Sequence, residues 1–232
     1  MTRRTLTGAV VATVFASAMM SVLSPVAAHA MPARSLSTSA GCAVRSDSTL
    51  VALYDRGQNF SDFLAAAKAR REGWHRIADS AQVGDALLAR AKAVGGTWRL
   101  LVVAIDACGD SMNSVPYLAK LAEKVPGLDL RIVLPAAGRA VQDSHRSLDG
   151  RRATPTLVLL DDAGRDMGCI VELPREIRDW GHRMRPSISS DSLHAGIRAF
   201  YASNRGVGIT TEAVELLEAA KAGSPLCQRG TN

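Results

Sequence analysis

The chain changes texture along its length, and each texture predicts a different element. From 49 to 95 apolar residues recur at helical spacing. FSDFLAAAKARREGWHRIADS sets Phe60, Phe63, Leu64 and Ala67 on one face, with Ser61 or Asp62 as the cap. VGDALLARAKAVGG predicts a second helix, opened near Asp85 and stopped by Gly95 and Gly96. Trp74, between the two, reads as a core anchor. At 98–106 the pattern becomes a continuous apolar run, WRLLVVAID, the mark of a strand buried on both faces. SMNSVPYLAKLAEKV reads as a helix, LDLRIVLP as another strand, and GRAVQDSHRSLDG as a short helix or loop.

TPTLVLLDDAGRDMGCIVELP predicts two strands joined at Asp162, Ala163 and Gly164, with Met167, Cys169 and Val171 on one strand face. Past Pro174, REIRDW is helical, and SSDSLHAGIRAFYASN and TTEAVELLEAAKAG are two further helices with Ser/Asp and Thr caps. The order is βαβ(α)ββ. Its first part demands a parallel pair with a right-handed crossover, and the hairpin adds an antiparallel edge. The fold class is therefore α/β. A helical extension at 49–95 precedes a mixed-sheet core at 96–182, and C-terminal helices and a tail follow at 183–232.

The first 30 residues stand outside this plan. Arg3 and Arg4, the apolar LTGAVVATVFASAMMSVL and the small-x-small AHA fit a secretory signal peptide, followed by an irregular lead-in at 31–48. The expectation is an exported protein, periplasmic or secreted, with no stable membrane insertion after cleavage. Without the two arginines of that segment, 26 basic residues face 22 acidic ones. The basic residues are scattered and aromatics are few, so no platform for nucleic acid is expected. Export puts Cys42, Cys108, Cys169 and Cys227 in an oxidising compartment, where four cysteines allow three full pairings. A Cys42–Cys227 bond would tie down both ends of the mature chain and is the pairing favoured here. Cys169 then reads as a buried, inert thiol. No C-x-x-C or histidine cluster suggests a metal, and no cofactor is expected.

The chemistry concentrates where the first strand ends in Cys108, Gly109, Asp110 and Ser111. A cysteine at a helix N-terminus faces unpaired N–H groups and the positive end of the helix dipole. Both favour thiolate, the nucleophile of disulfide exchange. Gly109 leaves room for a substrate sulfur. Ser111 can donate a hydrogen bond to the Cys108 sulfur, while the Asp110 carboxylate opposes thiolate. Asp106 reads as a strand-end residue, and His145 and His182 as surface or satisfied side chains.

These positions resemble the thioredoxin superfamily over residues 96–182. C-G-D-S stands where that family usually has C-x-x-C, Pro116 where its helix carries a kinking proline, and Thr154-Pro155 where its cis-proline opens the next strand. The stretch around A-C-G-D-S is also similar to bacterial thioredoxin-like proteins with a monothiol W-C-G-D-S motif. The resemblance implies a thioredoxin-like fold with Cys108 and Ser111 catalytic. It also implies that Gly109, Asp110, Thr154 and Pro155 hold the substrate. Two departures stand out: Ala107 in place of the usual tryptophan, and Val102 where classical thioredoxins bury an acid. With no second thiol, the expectation is exchange through mixed disulfides with protein or glutathione thiols. The alternative is a non-catalytic binding or assembly module on the same scaffold.

Overall fold

The computed structural model describes residues 48–227. The expected signal peptide, the lead-in, Cys42 and the side chain of Cys227 lie outside the described residues. The N-terminal region forms helices α1 (Ser48–Asp55), α2 (Phe60–Ala66), α3 (Arg71–Ser80) and α4 (Asp85–Val94). The expected long helix is thus split into α2 and α3. At the break the N–H groups of Lys68 and Ala69 both donate to the Asp106 carboxylate, each at 2.8 Å, and Arg70 adopts the left-handed backbone (φ 52°). An acid brought from 37 residues away takes amides that a continuous helix would have used itself. Trp74 lies inside α3, fully buried, with its ring edge on Phe63 at 5.2 Å between centroids.

Strand β1 (Trp98–Val103) runs into α5 (Gly109–Lys124), then β2 (Leu128–Val133), α6 (Arg139–Ser144), β3 (Thr156–Leu160) and β4 (Asp166–Val171). Helices α7 (Arg175–Met184), α8 (Ser190–Asn204) and α9 (Val207–Lys221) follow, and β5 (Leu226–Cys227) closes the described chain. The sheet order is β2-β1-β3-β4-β5. β1 pairs parallel with β2 and antiparallel with β3, β3 pairs antiparallel with β4, and β4 parallel with β5.

Alternate residues of the central strands feed two separate cores. Leu100, Val102, Leu157 and Leu159 pack under α2–α5 and α9. Leu101, Val103, Val158 and Leu160 pack against α1 and α6. The uninterrupted apolar runs follow directly, since neither face is left to water. Helix α9 packs on α4, α5 and β4. It is anchored to α7 by the buried Arg178–Glu212 ion pair (2.9 Å), and Glu212 also accepts from the Arg175 N–H at 2.8 Å.

Two expectations for β4 need correction. Met167 does not share a core with Cys169 and Val171; it packs with the opposite cluster. The register shifts between Leu159 and Leu160, and Gly168 takes φ 133°, so the bulge turns Met167 over. A side chain at Gly168 would meet the Leu226 carbonyl at 2.0 Å, which also explains the glycine. Cys169 is buried but not a free thiol: it is disulfide-bonded, whereas Cys108 is free. Either remaining cysteine that takes Cys169 is lost to the expected Cys42–Cys227 bond, so that pairing does not form. The β4–β5 register sets Cys169 beside the backbone of Cys227, a neighbour that a two-residue strand gave no periodic pattern to predict.

Candidate functional site

Cys108 occupies the N-cap of α5 in an extended conformation (φ −82°, ψ 123°). Its half-buried sulfur accepts the Ser111 backbone N–H at 3.4 Å, and its thiol donates to the Thr154 carbonyl at 3.1 Å. Helix start and β3 entry therefore meet at one sulfur. The Thr154–Pro155 peptide is cis, and the Pro155 carbonyl accepts from the Glu172 N–H at 2.7 Å, tying this turn to the end of β4.

The Ser111 side chain does not play the part expected of it. Its hydroxyl is fully buried and has no hydrogen-bond partner; the backbone N–H of the same residue is what reaches the sulfur. An N-cap acceptor is ordinarily served by the amide of the second or third helical residue, so position rather than side-chain chemistry gives Ser111 its role. Gly109 needs no unusual backbone, and a side chain added there would touch nothing within 4 Å. The space beside it is open to solvent.

The loop that delivers Cys108 is held from one side by the N-terminal helices. Asp106 takes the two amides at the α2–α3 break, and those N–H groups keep its carboxyl below the usual range. Trp74 donates its ring N–H to the Asp106 carbonyl at 2.9 Å, and Arg70 donates to the Ala107 carbonyl at 2.7 Å. Asp106 is thus a structural residue. His145 is equally accounted for, buried between the Val141 carbonyl and the Asp166 carboxylate, and His182 is exposed.

On the other side lies a groove of about 570 Å³, bounded by Gly109, Asp110 and Asn113 of α5, by Glu172 and Leu173, and by α8. Burial and the neighbouring Glu172 charge push the half-buried Asp110 up to about 6, although the Tyr201 hydroxyl, His194 and Arg70 pull the other way. Burial and the Asp110 charge hold the Tyr201 phenol well above its ordinary value. Its hydroxyl is close to Asp110 and Ser114 but in hydrogen-bond geometry with neither. Glu172 adopts a left-handed backbone (φ 67°), and its carboxylate is bound by Arg151 at 3.1 Å. Tyr201 and the α8 charges were missed in the sequence, where α8 reads as an ordinary amphipathic helix. Only the topology brings it to Cys108. Among the described residues no group of metal-ligating side chains occurs, and no helix is long and apolar enough to cross a membrane.

Comparison with known proteins places this geometry. The Thioredoxin family model matches residues 57–185, more than half of the chain. The chain belongs to the thioredoxin family. The match begins in the helices before the sheet, so part of the N-terminal extension falls within the thioredoxin model. Two solved structures share the thioredoxin fold over nearly their whole length. One is a protein of unknown function from Pseudomonas aeruginosa, 24% identical, with a TM-score of 0.58 over 72% of this chain and 96% of that one. The other is an HIV epitope scaffold, 22% identical, with a TM-score of 0.57 over 73% and 97%. No curated protein matches the sequence.

Proposed function

We propose that this thioredoxin-family chain is an exported thiol–disulfide exchange protein that works through the single thiol of Cys108. The observation that carries the reading is the free Cys108 sulfur at a helix start, served by a backbone N–H and flanked by the open space at Gly109. In the first step the Cys108 thiolate attacks one sulfur of a disulfide R–S–S–R′. A bond forms between Cys108 and R–S, the S–S bond breaks, and R′–S⁻ leaves to take up a proton. A second thiolate, from glutathione or a protein thiol, then attacks the mixed disulfide. It forms a new disulfide with R–S and returns Cys108 as the thiolate. Electrons are exchanged only between the incoming disulfide and the incoming thiol, so one cysteine suffices. Gly109, Asp110, Thr154 and Pro155 would line the substrate's approach.

The test is capture of the mixed disulfide. Native protein incubated with hydroxyethyl disulfide is expected to gain one adduct, located by mass mapping to Cys108 and absent in Cys108→Ala. Native protein that stays unmodified while the unfolded chain reacts would overturn the reading. The binding-module alternative draws support from Ser111, since a buried hydroxyl holds the place of a second thiol. It expects Cys108→Ala to keep full function.

A further inference from the structure

The turn that meets Cys108 carries three successive carbonyls, each with a different partner. The buried Ala153 carbonyl takes two donors: the Gln142 side-chain amide of α6 at 2.7 Å and the Thr156 hydroxyl of β3 at 2.8 Å. The Pro155 carbonyl takes the Glu172 N–H at 2.7 Å. Between them, the Thr154 carbonyl takes the Cys108 thiol at 3.1 Å. A carbonyl only accepts, so Gln142 must make its contact through its NH₂ end. Gln142 and Thr156 are both buried, and neither lines the groove beside Cys108. Helix α6 is itself pinned at its end, where His145 lies between the Val141 carbonyl at 2.9 Å and the Asp166 carboxylate of β4 at 2.8 Å. Peptide units are planar, so fixing the Ala153 and Pro155 oxygens fixes the planes on either side and leaves the Thr154 oxygen little freedom to swing. A thiol that donates to a carbonyl is favoured over the thiolate, which has no proton to give and faces the negative end of the C=O dipole. How the Thr154 oxygen is aimed therefore affects how readily Cys108 ionises.

We infer that Gln142 and Thr156 are positioning residues for Cys108: by holding the Ala153 carbonyl they aim the Thr154 oxygen at the sulfur and restrain the thiol from ionising. The inference rests on the exchange reading for its purpose, since thiolate is the attacking species, and adds to it a restraint set from behind the turn. Other groups act on the same sulfur. Asp110 stands two residues on in α5, with Glu172 and His194 acting on its charge, Tyr201 of α8 feels the Cys108 charge, and Arg70 holds the adjoining Ala107 carbonyl. None of their side chains touches the Ala153 carbonyl, so they are common to the native chain and the variants below.

The test follows iodoacetamide alkylation of Cys108 against pH, located by mass. Thr156→Val keeps the shape and loses the donor, and Gln142→Met does the same on α6. Each is expected to alkylate about threefold faster on the acid limb of the curve, as when one hydrogen bond is weakened, with the plateau at high pH unchanged. Thr156→Ser keeps the donor and should retain the native curve. So should Val141→Ala, which loosens α6 without touching the Ala153 carbonyl. Either donor variant carries the test if the other fails to fold. An unmoved acid limb in the folded variants overturns the inference. An equal rise in Thr156→Ser or Val141→Ala also overturns it, since the effect is then one of packing. A rise that extends to the plateau reports exposure of the sulfur and overturns it too. Failure of the exchange reading is distinct: an acid limb that moves as expected, in a native protein that takes no hydroxyethyl adduct, supports the positioning role and overturns exchange.

Discussion

Two helical walls flank Cys108, and they are finished differently. On the α2–α3 side each polar group that reaches the Cys108 loop has a partner: Asp106 holds two amides, Trp74 holds a carbonyl, and Arg70 holds another. On the α8 side the Tyr201 hydroxyl is buried without a partner, Arg198 has no ion pair among the described residues, and Asp110 and Glu172 keep two like charges close. Buried polar groups are normally satisfied, so each exception calls for a physical explanation. The first wall is a support. The second leaves a buried hydroxyl without a partner and two carboxylates close together.

The contrast breaks first at Trp74. Trp74→Ala removes a fully buried ring and the hydrogen bond that supports the Asp106 carbonyl. A loss of about 3–5 kcal/mol is expected, read from the urea midpoint at constant slope. A loss below about 1 kcal/mol would mean that this wall does not brace the loop.

A smaller effect, of opposite sign, is expected from Asp110. Its folded value, raised to about 6, lies above the ordinary carboxylate range near 4. The folded state therefore prefers the protonated form. The stability it contributes is present below about pH 4 and is lost as pH rises through about 6. Asp110→Asn removes that penalty. At pH 8 it should be more stable than the native chain by about 1–2 kcal/mol, allowing for water at a half-buried carboxyl, with the gap closing by pH 4. Parallel stability curves from pH 4 to 8 would refute this. The smallest change is expected for Tyr201→Phe. Deleting a buried hydroxyl that has no partner removes its desolvation penalty and should stabilise the fold by about 1 kcal/mol, measured by thermal melting. A loss of stability instead would show the hydroxyl to be bonded and the wall to be complete.

How much of this was legible in the sequence depended on the range of the force involved. The strands were legible because a sheet buried on both faces requires long apolar runs, as in 100–103 and 157–160. Cys108 at a helix start was legible because strand, glycine and helical spacing are all local. The break between α2 and α3 was not, since Asp106 makes it from across the fold and Arg70 takes the left-handed backbone without glycine to announce it. Met167 was misplaced because a one-residue bulge reverses every later alternation. Tyr201 sits 93 positions after Cys108, on a helix whose own pattern speaks only of amphipathicity. Ser111 had the right position, but its backbone makes the contact and its hydroxyl does not.

The missing side chain at Gly109 has a consequence of its own. Neither backbone twist nor crowding forces a glycine there, and a side chain would meet only open space. A methyl group would meet nothing within 4 Å, yet on the exchange reading proposed above it would stand beside the sulfur that a substrate has to reach. Tolerance of the fold and tolerance of traffic can therefore part company at a single atom.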